Sequence, residues 1–163
     1  MTDQYRSRID IFIFLFTTSF IIILDRITKS FFDSLLQQGE SLPLIKNFFH
    51  MTLVHNTGIA FGFFKDQGYV FVVIPLMAIV LLVFNVYYYR QNNEVLSRLY
   101  IIAFSLILGG AVGNLIDRIL YGYVIDFIDF RIWPVFNVAD SAITIGAVII
   151  GIKCFKLSAK QGN

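Results

Sequence analysis

Three aspartates, Asp126, Asp129 and Asp140, stand in the stretch VIDFIDFRIWPVFNVADSAITIG, whose other residues are mostly apolar or aromatic. A carboxylate near lipid is costly unless it is solvated, paired or given a task. In a helical reading Asn137, Asp140 and Thr144 fall at i, i+3 and i+7, so an amide, a carboxylate and a hydroxyl share one face. Asp126 lies just before, in an outer loop short enough to fold back, so two carboxylates can meet. Like charges about 3 Å apart do not both ionise readily, and such a pair shares a proton. The ionised member can take a proton from water as it attacks an amide carbon, while its protonated partner hydrogen-bonds the carbonyl oxygen. That is peptide hydrolysis with neither a metal nor a covalent intermediate. The plainer reading is that all three acids sit at span ends, where a carboxylate reaches water cheaply, and Asp129 reads as a solvated loop acid.

Other polar positions carry weaker signals. Gly110, Asn114 and Arg118 fall at i, i+4 and i+8, and Gly109 with Gly113 forms a small-xxx-small pair that lets another helix approach. Asp25 and Lys29, at i and i+4, read as an ion pair closing the first helix, and Asp117 with Arg118 as interfacial anchors. Asn56 beside Gly58 has the look of turn chemistry, and His50 and His55 of strand-face residues. Ser141 has no convincing histidine base, and Ser105 lies deep in an apolar run, which disfavours serine chemistry. The single cysteine, Cys154, excludes an internal disulfide and reads as an inert thiol near the inner interface; the two histidines lack the neighbours a zinc site needs. Neither a metal nor a cofactor is expected.

These residues need elements to hold them, and the composition says which. The chain has 163 residues, of which 57% are hydrophobic and only 15% charged, with a mean hydropathy of +0.73. A soluble domain carries roughly 25% charged residues, so this is a membrane protein whose main partner is the lipid bilayer. A net charge of +2 without any Lys/Arg-rich run excludes nucleic acid as a partner. Apolar runs predict spans at about 10–24, 69–89, 99–116 and 135–155, joined in one integral membrane domain over the whole chain, 1–163. The first run follows Arg6 and Arg8 as a signal peptide would, but DRITK closes it where a small-residue cleavage site would stand, so an uncleaved span is expected. In the outer loop, about 30–68, the alternation of FFHMTLVHN and the punctuation by Gly39, Pro43, Gly58, Gly62 and Gly68 predict a small sheet at the membrane surface. The expected class is an all-α membrane protein of four transmembrane helices with a small β-rich outer subdomain between the first and second. Arg6, Arg8, Arg90, Arg98, Lys153, Lys156 and Lys160 gather on one side, which places both termini in the cytoplasm and the polar clusters on the outer face.

Five ordered motifs, DRITK (25–29), NTGIAFG (56–62), GGAVGNLIDR (109–118), VIDF (124–127) and FNVADSAITIG (136–146), resemble those of the lipoprotein signal peptidase family, signal peptidase II. The resemblance covers nearly the whole chain outside its tails. It implies an aspartyl endopeptidase of the bacterial cytoplasmic (inner) membrane, acting at the outer face. Its substrates would be prolipoproteins, cut just before a lipobox cysteine that already carries diacylglycerol. The family's catalytic aspartates fall on Asp126 and Asp140, and its supporting polar residues on Asp25, Lys29, Asn56, Asn114, Arg118 and Asn137. Globomycin-type inhibitors are implied as ligands. Two departures stand out: Arg26 occupies a position that is usually Gln, and the stretch from Asp126 to Asp140 is short, with Trp133-Pro134 close before FNVAD. Two other classes compete. A channel or transporter subunit lined by Asn114, Arg118 and Asp140 should carry polar positions through its inner half, where the fourth run reads ITIGAVIIGI; a structural scaffold leaves the five motifs unexplained.

Overall fold

The structure, a computed structural model, describes residues 3–58 and 97–161 together with positions 73, 76, 77, 79, 80 and 84. Among the described residues three helices, α1 (Asp3–Leu35), α2 (Arg98–Tyr121) and α3 (Val138–Gln161), and strands β1 (Ser41–Ile45), β2 (Phe49–Asn56) and β3 (Val124–Asp129) follow in the order α1, β1, β2, α2, β3, α3. The expected second span, about 69–89, lies outside the described residues except at those six positions, all of them helical.

Among the described residues two helices, over Arg8–Leu35 and Arg98–Tyr121, are long and apolar enough to cross a bilayer. The 33 residues of α1 reach about 50 Å at 1.5 Å per residue, well beyond roughly 30 Å of hydrocarbon. The expectation that DRITK closes the first helix is therefore corrected: α1 continues to Leu35, because the charges of that motif find partners on neighbouring elements. Its outer stripe, Phe12, Phe16, Phe20, Ile23, Ile27 and Phe31, is more than half exposed at each position. Successive rings along it stack at 5.8 and 6.2 Å. Such a surface is a liability in water and an ordinary one in lipid.

α2 lies between the other two helices, and glycine sets how closely. A Cβ on Gly109 would stand 2.9 Å from Cβ of Ile21 in α1, and one on Gly110 would run into the Ala139 carbonyl oxygen of α3. The small residues thus serve the close approach expected of them. α2 ends on Gly122 at φ +78°, whose N–H reaches the Arg118 carbonyl at 3.1 Å, and this left-handed cap turns the chain straight into β3.

The sheet is antiparallel in the order β1-β2-β3, with Val54 opposite Asp126 and His50 opposite Asp129. The expected β-rich subdomain after the first helix is present, with one correction. Its third strand comes from between α2 and α3, so Asp126 and Asp129 lie on a strand rather than in a loop. Leu36, Leu53 and Ile125 form a small core beneath the sheet, and Phe32 stacks on Phe127 at 4.5 Å, joining α1 to β3. A bridge between Ile128 and Phe136 then closes the short return, which brings the start of α3 beside β3.

Candidate active site

The sequence NVAD builds the start of α3 as a reciprocal cap. Asn137 Oδ1 accepts the Asp140 N–H at 2.9 Å, while the Asn137 N–H donates to Asp140 Oδ2 at 3.2 Å, an Asp version of the capping box. Asp140 is thereby fixed in the first turn of α3, where the helix N-terminus favours a negative charge. The Asn137 amide also donates to Asp126 Oδ1 at 2.7 Å and to Asn114 Oδ1 at 3.1 Å. One asparagine thus connects β3, α2 and the beginning of α3.

Asp126 is 1% exposed, and its other oxygen accepts the Asn56 amide at 2.9 Å. Asn56 meanwhile accepts the Gly58 N–H at 2.9 Å, so the turn expected there also supplies a contact to the site. Burial, aided by the charge of Asp140, outweighs the Asn56 and Asn137 hydrogen bonds and the charge of Lys29, and pushes the Asp126 carboxyl up to about 7. Asp140 is partly exposed and receives the Asn114 amide at 2.7 Å. The result is two neighbouring carboxyl groups in different surroundings, one dry and holding its proton near neutral pH, the other open to an incoming water.

Behind them lies a buried ionic cluster. Lys29 Nζ sits 2.8 Å from Asp25 Oδ2, 2.7 Å from Asp117 Oδ2 and 2.8 Å from Asn114 Oδ1. Arg26 pairs with the other oxygen of Asp117. Asp25 accepts the Ala139 N–H of α3 at 3.0 Å, and Asp117 accepts the Ile125 N–H of β3 at 3.2 Å. Two expectations are corrected here. Asp25, Lys29 and Asp117 are all 0% exposed, so the first pair is not a surface closure of α1 and Asp117 is not an interfacial anchor. Their charges are internal because each is matched by an opposite charge and each carboxylate also accepts a backbone amide.

Arg118 is partly buried, donates to the Asn114 carbonyl at 3.4 Å, and lies near enough for its charge to act on Asp140 and Asp126. Thr144 is exposed. Asp129, expected as a solvated acid, is 4% exposed. It accepts Thr52 Oγ1 at 2.7 Å and the Arg131 N–H at 2.7 Å. Burial alone would raise its carboxyl, but these bonds and the charge of Arg131 hold it below the usual range. His50 and His55 do lie on β2, beside Arg131 and Asp33 respectively. Among the described residues no group of three or more His, Cys, Asp or Glu could hold a metal ion. The sequence reading missed Arg26 and Asp117 as part of the cluster, although Asp117 at i+3 from Asn114 was a visible signal.

A family model for signal peptidase (SPase) II matches residues 17–156, a range that contains all five motifs and the whole site. The chain belongs to the signal peptidase II family. It is similar to the lipoprotein signal peptidase of Moorella thermoacetica, at 45% identity over 92% of this chain and 95% of that one. It is similar also to that of Halothermothrix orenii, at 45% identity over 80% and 86%. Two bacterial membrane enzymes solved by the in meso method share its fold. Their TM-scores are 0.79 and 0.78 and their identities 32% and 33%; the matches cover 90% of this chain and 90% of the first, and 88% and 92% for the second. As a member of the signal peptidase II family the protein is a membrane peptidase with helices and a small antiparallel sheet, which sets aside the channel and scaffold readings.

Proposed function

We propose that this peptidase removes the signal peptide from diacylglyceryl-modified prolipoproteins, cutting before the lipobox cysteine with Asp126 and Asp140 as an aspartyl dyad. The observation that carries the reading is the single Asn137 amide that binds both aspartates and holds a buried carboxyl beside an accessible one. In this mechanism Asp140 accepts a proton from water as the water oxygen bonds to the scissile carbonyl carbon, and Asp126 gives its proton to the carbonyl oxygen. On collapse of the tetrahedral intermediate the C–N bond breaks. The departing nitrogen takes a proton from Asp140, and Asp126 recovers its own. Asn56, Asn114, Arg118 and Asn137 position the dyad and polarise the site, while Asp25 and Lys29 support it from α1.

The whole chain, 1–163, acts in this reading as one domain with four spans in the bacterial cytoplasmic membrane. Both termini face the cytoplasm and the dyad faces outward. A substrate that is itself an apolar helix with an acylated cysteine diffuses in the bilayer plane and presents its scissile bond at that surface, where globomycin-type inhibitors would compete for the dyad. Purified protein incubated with a diacylated model lipopeptide should release the signal segment with the modified cysteine as the new N-terminus. Equal cleavage of the unacylated peptide, or none of either, would refute this assignment.

A further inference from the structure

We infer that Lys29 is a positioning residue for the dyad: it fixes which end of the Asn114 amide Asp140 meets, and so holds Asp140 ready to act as the base. This rests on the proposed aspartyl mechanism and adds to it a residue that touches neither aspartate of the dyad.

An ammonium group has three N–H donors and no acceptor. Lys29 Nζ donates to Asn114 Oδ1 at 2.8 Å and lies 2.7–2.8 Å from carboxylate oxygens of Asp117 and Asp25, in a position with no exposure to solvent. The group 2.8 Å away on Asn114 must therefore be its oxygen, because an amide NH2 there would set donor against donor and leave a charge unmatched. With the oxygen turned to Lys29, the NH2 is left for Asp140 Oδ1, at 2.7 Å. A carboxylate that receives N–H donors is favoured in its charged form, whereas one that faces an amide oxygen must keep a proton to bond with it. Lys29 thus selects the proton-free form of Asp140 through one intervening amide.

Apart from Lys29, a second bond, from the Asn137 amide at 3.1 Å, favours the same Asn114 orientation. That donor is shared with Asp126 at 2.7 Å and the Ile125 carbonyl at 3.3 Å, so it holds Asn114 less firmly than a full positive charge does. The other charged groups facing this network are Asp25 and Arg26 from α1, Asp117 and Arg118 from α2, and Asp126 from β3. Asp25, Asp117 and Arg26 remain when Lys29 is removed. Replacing it alone therefore leaves a surplus negative charge in the cluster, and a charge-balanced variant is required.

The test is the pH profile of cleavage of a diacylated lipopeptide by Lys29→Met and by the balanced Lys29→Met/Asp25→Asn. Freed from Lys29, Asn114 can present its oxygen to Asp140, so the acid limb should move up by about one pH unit and kcat should fall by up to about tenfold along that limb. KM should stay within about twofold, since Lys29 has no exposed surface with which to touch substrate. A folded variant with the wild-type acid limb, however unstable, would overturn the inference and leave Lys29 a structural residue. In the unaltered protein the Asn114 side-chain 15N resonance should titrate with the same apparent pKa as cleavage, and a resonance constant across that range would overturn it without any variant. If the unaltered protein fails to cleave, the proposed function falls, and the Asn114 resonance still decides whether the amide senses the dyad.

Discussion

Asn137 donates to Asp126 Oδ1 at 2.7 Å from the position that caps α3, so the buried carboxyl of the sheet is tied to the first turn of the helix. Either aspartate should then be indispensable. Asp126→Asn and Asp140→Asn should each lower turnover of a diacylated prolipoprotein by roughly a hundredfold to ten-thousandfold, because an amide neither accepts the water's proton nor carries one to the carbonyl. Substrate binding, measured by co-purification or fluorescence titration, should persist. A folded variant that cleaves near the wild-type rate would remove its aspartate from the mechanism.

The raised Asp126 carboxyl makes a thermodynamic prediction with a definite sign. Its proton is held more tightly in the folded protein than in the unfolded chain, so the folded state loses stability as pH rises from the usual carboxylate range to about 7. The loss across that window is on the order of 4 kcal/mol for a fully buried group. Asp126→Asn removes the titration. Its stability relative to wild type in detergent should therefore be greater at pH 8 than at pH 4, with most of the change between pH 4 and 7. A difference independent of pH would contradict the dry, protonated state assigned to Asp126.

How much of this was legible in the sequence depended on whether a residue's partner was near it in the chain. The i, i+3 spacing of Asn137 and Asp140, the small-residue stripe of α2 and the alternation of β2 are local patterns, and each led to the right element. Asp25 and Lys29 illustrate the converse. An i, i+4 ion pair looks the same on a surface as in a core, and here Asn114 and Asp117, more than eighty residues away, decide that it is buried. Asp129 was misjudged for the same reason: its partner Thr52 lies 77 residues upstream. VIDFID looked like a loop because a short strand between two helices is recognisable only once β2 is known to pair with it.

Orientation can be tested without reference to the active site. In a Cys154→Ser background, a cysteine placed at Asn93 should be shielded from a membrane-impermeant thiol reagent in intact cells, whereas one placed at Gln67 should be labelled. The inverse pattern would put both termini, and hence the dyad, on the wrong sides of the membrane.

Helix contact offers a steric test. Gly110→Ala would drive a methyl group into the Ala139 carbonyl and to within 2.8 Å of Ile143 Cγ1, forcing the first turn of α3 away from α2. Overpacking of this kind costs about 1–3 kcal/mol, and the displaced turn carries Asp140, so kcat should fall by more than the stability change alone explains. Gly151→Ala, further along α3 where no atom of the described residues stands within 4 Å, should leave both kcat and stability essentially unchanged or slightly improved. Equal effects at the two positions would show that close approach at Gly110 does not set the dyad.

Asp129 supplies the contrast with Asp126, three residues earlier on the same strand. Its carboxyl is held below the usual range by Thr52 and Arg131, so the stability it contributes is present above that range and is lost as pH falls through its folded value. Asp129→Asn should therefore lose about 1–3 kcal/mol at neutral pH, through a weakened bond to Thr52 and the loss of a carboxylate partner for Arg131. The penalty should shrink on acidification, opposite to the trend expected at Asp126. Turnover by the folded variant should stay within a few-fold of wild type, because Asp129 pairs with His50 at the far end of the β2–β3 register from the Asn56 contact. Denaturation curves at pH 4 and pH 7, taken with lipopeptide cleavage rates, separate the two roles: a large loss of turnover at full stability would make Asp129 a third participant in the chemistry.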